Sequence, residues 1–256
     1  MKFQSYILLF LLFSTMLLTG SCESGNVGRL KAMIKDERPN LPIKLANGDE
    51  LTLISYNQPS NILNLEIKIN NNLLLDNIQT NKEIALKYFR TSFMNLDWRL
   101  PNAIDNSGAV VAVKFISKNQ KKSVSFNISH TEFNKLLLSN LTPSEKNLAI
   151  LEDMVEIENF ICPRDAGHGL EMTSVALGKQ NLVITFEFDE SILKGNEFKD
   201  YIKRVAPTYK QGLQNSIPET NLKILKDQGL GIVYQWKGNQ GYKPFSIIVK
   251  PEEIII

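Results

Sequence analysis

The chain carries one pattern twice, and nothing else in the sequence constrains its fold so strongly. Displaced by 121 residues, positions 26–133 lie over 147–254 without a gap. Identical pairs include Leu30/Leu151, Met33/Met154, Pro42/Pro163, Gly48/Gly169, Thr52/Thr173, Tyr88/Tyr209, Gly108/Gly229 and Glu132/Glu253. The apolar alternation is kept as well. Leu51, Ile54 and Tyr56 fall on Met172, Val175 and Leu177, and Leu63, Leu65 and Ile67 fall on Ile184, Phe186 and Phe188. Val111, Val113 and Phe115 fall on Ile232, Tyr234 and Trp236. Strand side chains alternate between faces, so a slip of one residue would turn an apolar set toward water. The shared pattern reads as a duplicated unit rich in strands.

Each copy predicts the order α-β-β-α-β-β. A short amphipathic helix opens it, followed by a loop with Pro and Gly at matched positions, LPIKLANG and CPRDAGHG. A hairpin, a helix and a second hairpin complete the unit. The expected fold class is α+β, with two tandem units whose antiparallel sheets are each covered by helix. The expected boundaries are 26–133 for the first repeat, 134–146 for a linker and 147–256 for the second repeat.

The N-terminus speaks about compartment. Lys2 precedes the twelve-residue apolar run Ile7–Leu18. A membrane-spanning helix needs roughly 20 residues, so the run suits the core of a signal peptide. Thr19-Gly20-Ser21-Cys22 follows. This stretch resembles the lipobox of bacterial lipoproteins, although Thr19 stands where that family usually has Leu. The resemblance implies cleavage after residue 21 and lipidation of Cys22, with residues 22–25 forming a lipid anchor and tether. Glu23 stands where enteric lipoproteins retained in the inner membrane carry Asp, which points to the outer membrane.

The run Pro163…Gly169, Met172-Thr173-Ser174-Val175 and then Leu182-Val183-Ile184-Thr185-Phe186 resembles a module of uncharacterised secreted lipoproteins of Gram-negative bacteria. That resemblance brings no catalytic residues with it.

Composition narrows the chemistry. The net charge is +2 with lysines and acids interspersed, which supplies no basic surface for nucleic acid. With Cys22 expected to carry lipid, one cysteine and two histidines remain, too few for a classical zinc site of Cys and His ligands, and no cofactor motif is present. Cys162, Asp165 and His168 lie within seven residues and could form a Cys–His nucleophile. The duplication argues otherwise, because Leu41 and Asn47 hold the positions of Cys162 and His168. A small apolar role for Cys162 and a turn role for His168 are expected. Glu66 and Glu187 read as one strand position in both copies, either outward polar residues or a carboxylate pair. Trp98, in LDWRLP, is a candidate interface anchor.

These features favour a lipid-anchored envelope protein that binds a protein or surface polymer. An enzyme with a carboxylate or Cys/His site and a structural assembly component stand as alternatives.

Overall fold

The computed structural model describes residues 25–45, 48–70, 72–94, 99–119, 121–214 and 217–256. The predicted signal peptide, Cys22 and Trp98 lie outside them. Helix α1 (Asn26–Glu37) leads into strands β1 (Ile43–Lys44), β2 (Glu50–Asn57) and β3 (Ile62–Ile69). Helices α2 (Asn72–Ile78), α3 (Lys82–Phe89) and α4 (Leu100–Ser107) come next, with a π-helical turn at Arg90–Met94 between the last two. Strands β4 (Val110–Ser117) and β5 (Ser123–Ile128) and helix α5 (His130–Leu136) close the first half. The second half comprises α6 (Pro143–Phe160), β6 (Arg164–Gly167), β7 (Leu170–Leu177), β8 (Asn181–Phe188), α7 (Gly195–Gln214), α8 (Glu219–Asp227), β9 (Gly231–Gly238) and β10 (Phe245–Val249). Helix α6 starts inside the segment read as a linker. Thr142 and Glu145 cap it reciprocally and Pro143 opens it, so its start is written locally.

The protein is α+β with two five-stranded sheets, ordered β1-β2-β3-β4-β5 and β10-β9-β8-β7-β6. Both hairpins of each unit are present. Two features refine the expected unit. The Pro/Gly loops contribute the short edge strands β1 and β6. The two hairpins are joined by a parallel pair, β3 with β4 and β8 with β9, so the sheets are mostly rather than wholly antiparallel. The cause is the helical layer between hairpins, which carries the chain back so that the next strand starts in the same direction.

The duplication extends to single hydrogen bonds. Gly48 and Gly169 have φ of 82° and 77°, and Gly108 and Gly229 have φ of 65° and 67°. These values lie in the left-handed region that glycine enters at little cost. Leu41–Pro42 and Cys162–Pro163 are both cis. Strands β2 and β7 bulge between Leu51 and Leu53 and between Met172 and Ser174. The side chain of Asn159 clasps the backbone of Val175, donating to its carbonyl at 2.7 Å and accepting from its amide at 2.8 Å. At the matching place Arg38 Nε donates to the carbonyl of Ile54 at 3.4 Å. Strand β6 pairs only with Leu170–Met172, so Asn159 satisfies backbone groups beyond the end of that edge.

One expected correspondence is wrong. Ile54 pairs with Leu65 and Val175 with Ile184. Val175 follows Ile54 by 121 residues, but Ile184 follows Leu65 by 119. The second hairpin turn is two residues shorter, and the helical layer after it restores the offset. Glu66 therefore matches Thr185, and Glu187 matches Lys68. Thr52 Oγ1 donates to the carbonyl of Glu66 at 3.2 Å and Thr173 Oγ1 to that of Thr185 at 3.3 Å, which confirms the match.

Each half has its own core. The first gathers Leu30, Leu65, Phe89, Phe93, Phe115 and Phe133, and the second Leu151, Phe188, Ile232, Tyr234 and Trp236. Helix α6 serves both. Its Ile150 and Leu151 enter the second core, whereas Ile157 enters the first together with Ile161 just beyond the helix. The halves are also joined by ion pairs from the α3 side to α6. Lys87 bonds Glu156 as well as Glu83, and Arg90 Nε donates to Asp153, whose side chain is 4% exposed.

Glu132 and Glu253 occupy matching third positions of the helical turns that follow β5 and β10, accepting from the amides of Ser129 and Lys250 at 2.8 Å each. The bond from Lys82, reinforced by Ser129, draws the Glu132 carboxyl down from 4.5 to about 2. The unfolded chain therefore binds a proton more readily than the fold there. The stabilisation from this carboxylate is complete above about pH 4.5 and fades as pH falls toward 2. A carbon-detected NMR titration should place the Glu132 midpoint well below 4, and a midpoint at 4 or above would remove this contribution.

Candidate functional site

Between the halves lies a cavity of about 260 Å³. Its floor is the apolar face of the second sheet, with Met172 and Val175 from β7 and Leu182, Ile184 and Phe186 from β8. Helix α6 forms one wall through Met154, Ile157 and Glu158. Tyr88 and Thr91 of the first half form another. Ile217, Pro218, Thr220 and Asn221 at the start of α8 form a third, and Arg164, Asp165 and Ala166 of β6 border the mouth. The cavity exists because α6 packs against both cores and holds the first half above the second sheet without filling the space.

Most polar groups of this lining are engaged within the protein. Tyr88 Oη donates to buried Asp49, and Thr91 Oγ1 donates to the carbonyl of Tyr88 at 3.0 Å. Asp165 Oδ1 accepts from the amide of Gly167 at 2.7 Å. Arg164 Nη2 lies 2.6 Å from Glu158 Oε2, and that buried oxygen is held by charge rather than by a well-directed hydrogen bond. Burial pushes the Glu158 carboxyl above the usual range, and Arg164 opposes the shift. Asn221 is different. It is only 6% exposed, its Nδ2 donates to Met154 Sδ at 3.1 Å, and its Oδ1 accepts from no described residue.

Of the residues singled out from sequence, Asp165 borders the mouth of this cavity, whereas Cys162, His168, Glu66 and Glu187 do not line it. Cys162 is partly buried against the second core, as its counterpart Leu41 is against the first. Burial pushes its thiol up, against the thiolate a nucleophile needs. His168 is exposed at φ 55° in the turn between Gly167 and Gly169. No hydrogen bond or ion pair among the described residues joins His168 to Cys162. Glu66 pairs across the first sheet with Lys114 at 3.1 Å, and Glu187 across the second with Lys237 at 3.3 Å. They sit in different sheets at positions that do not correspond.

Glu187 also borders a shallower space of about 290 Å³ with Asp165, Glu171 and Asp189. Asp189 is engaged there by Ser191, whose hydrogen bonds lower its carboxyl below the usual range. Among the described residues, no three His, Cys, Asp or Glu side chains are placed to hold a metal ion. No helix among them is long and apolar enough to cross a membrane.

Sequence reasoning missed Asn221, Glu158 and Arg164. A signal for Asn221 was present, since it shares the buried stripe of α8 with Leu222, Ile224 and Leu225. A carboxamide in such a stripe asks for a partner.

No family model matches the chain, and no curated protein matches it. A crystal structure of a Pseudomonas aeruginosa protein described as secreted is similar to part of it, at 11% identity and a TM-score of 0.35. The likeness covers 45% of this chain and 99% of the other. At that TM-score it carries no argument about function.

Proposed function

We propose that this is an exported, lipid-anchored protein of the cell envelope, with a binding rather than a catalytic role. The observation that carries the binding role is the apolar cavity between the halves. It is bounded by elements of both halves, has a sheet face as its floor, and has wall groups that are largely committed to internal bonds. Small-molecule sites share this character, an apolar lining with few placed polar groups. The anchor rests on Cys22 and the small residues before it, and the outer membrane on Glu23 at the next position.

Two experiments test the two parts. Labelled palmitate should enter the protein in cells and be absent from Cys22→Ala, while label in that variant would remove the anchor. The mature protein should bind 2-acetylnaphthalene saturably with one site per chain. Ala166→Trp places a ring at the exposed mouth and should abolish binding with the circular dichroism spectrum unchanged. Undiminished binding in that variant would move the ligand elsewhere.

A further inference from the structure

We infer that the cavity takes a small apolar molecule carrying one uncharged amide-type group, with a donor and an acceptor side by side, which pairs with Asn221. This deepens the binding role proposed above and rests on it.

A primary amide offers two donors and two acceptor lone pairs. Asn221 uses one donor, on the thioether of Met154, which is a weak acceptor. Its Oδ1 accepts from no described residue although the residue is 94% buried, the complement of its 6% exposure. That oxygen is open to the cavity rather than sealed in the core, so a ligand there that offers a donor can complete it. Tyr88, Thr91 and Asp165 have bonds within the protein, and Asn221 adds both donor and acceptor capacity to the wall.

The protein itself shows the pairing chemistry. Asn159 meets an adjacent N–H and C=O of Val175 with its oxygen and nitrogen at 2.8 Å and 2.7 Å. A ligand amide presents the same two groups to Asn221. The ligand is uncharged because Arg164 already has its counter-ion in Glu158. An extra ion in this apolar enclosure would be desolvated without a partner of its own. Size fits a bicyclic body. A cavity of about 150 Å³ holds a benzene ring, and this one has about 260 Å³.

The test uses two probes of equal size, naphthalene-2-carboxamide and 2-acetylnaphthalene, which differ by NH₂ against CH₃. Their dissociation constants are measured for the mature protein and for Asn221→Leu. Hydrogen-bond energies predict that the carboxamide-over-ketone preference falls by about fivefold or more in the variant. Chemical shifts of the Asn221 side-chain amide protons in the unsubstituted protein give a readout that does not depend on the variant folding. They should move with the carboxamide and much less with the ketone. A preference that survives Asn221→Leu, or side-chain amide protons that ignore the carboxamide, would overturn the amide assignment and leave the binding role standing. Failure of both probes to bind saturably would overturn both.

Discussion

Replacing Asp153 by alanine should destabilise the protein by about 3–5 kcal/mol, because it leaves a largely buried guanidinium without its partner. Arg90 reaches Asp153 from the other half, with side-chain exposures of 15% and 4%. Burial pushes the Asp153 carboxyl above the usual aspartate range, and Arg90 only partly offsets that shift. The pair is therefore expensive to bury and more expensive to break. The double variant Arg90→Met with Asp153→Leu should lose far less than the two single changes together, since it removes both charges from the junction. Denaturant unfolding of the unsubstituted protein, Arg90→Met, Asp153→Leu and the double variant measures this coupling, with Asp153→Ala unfolded alongside them. Additive losses would mean that the two charges act independently and that the junction does not rest on their pairing.

The second large effect is expected at Trp236. The ring is 1% exposed and stacks against Phe245 at 5.5 Å and Phe186 at 6.0 Å between centroids. Trp236→Ala should cost about 3–5 kcal/mol, the range for deleting a large buried aromatic side chain. The change should also weaken ligand binding, because Phe186 belongs to the cavity floor and would lose the ring behind it. Equilibrium unfolding and probe titration on one sample read both effects. A loss below about 1 kcal/mol would show that the second core closes over the gap.

How far the sequence shows this fold depends on the element. The two copies, the alternation in β2, β4 and β9, and the left-handed glycines at matched positions are all legible. The correspondence of β3 with β8 was misread for a physical reason. A shift of two residues preserves strand alternation, so Leu63, Leu65 and Ile67 still met apolar residues at the wrong offset. Glu66 and Glu187 then coincided as a by-product. The parallel pairing of β3 with β4 and β8 with β9 depends on where the helical layer delivers the chain, which no local pattern encodes. The turn role expected of His168 agrees with its left-handed backbone, and the small apolar role expected of Cys162 with its packing against the second core.

The cavity was not legible, because it is a space left between two units rather than a motif within one. Tyr88 and Asn221 lie far apart in sequence, and both reach the lining only after α6 has set the halves against each other. What could be read was the polar intruder in the stripe of α8. A buried Asn among Leu222, Ile224 and Leu225 is a polar group set in an otherwise apolar stripe.

Isoleucine methyl NMR of the mature protein titrated with 2-acetylnaphthalene shows whether ligand binds between the halves. Ile157, Ile184 and Ile217 line the cavity, whereas Ile192 and Ile248 are 63% and 52% exposed elsewhere on the surface. Saturable shifts confined to the first three are the predicted result. Shifts centred on Ile192 or Ile248, with Ile157, Ile184 and Ile217 unmoved, would contradict it.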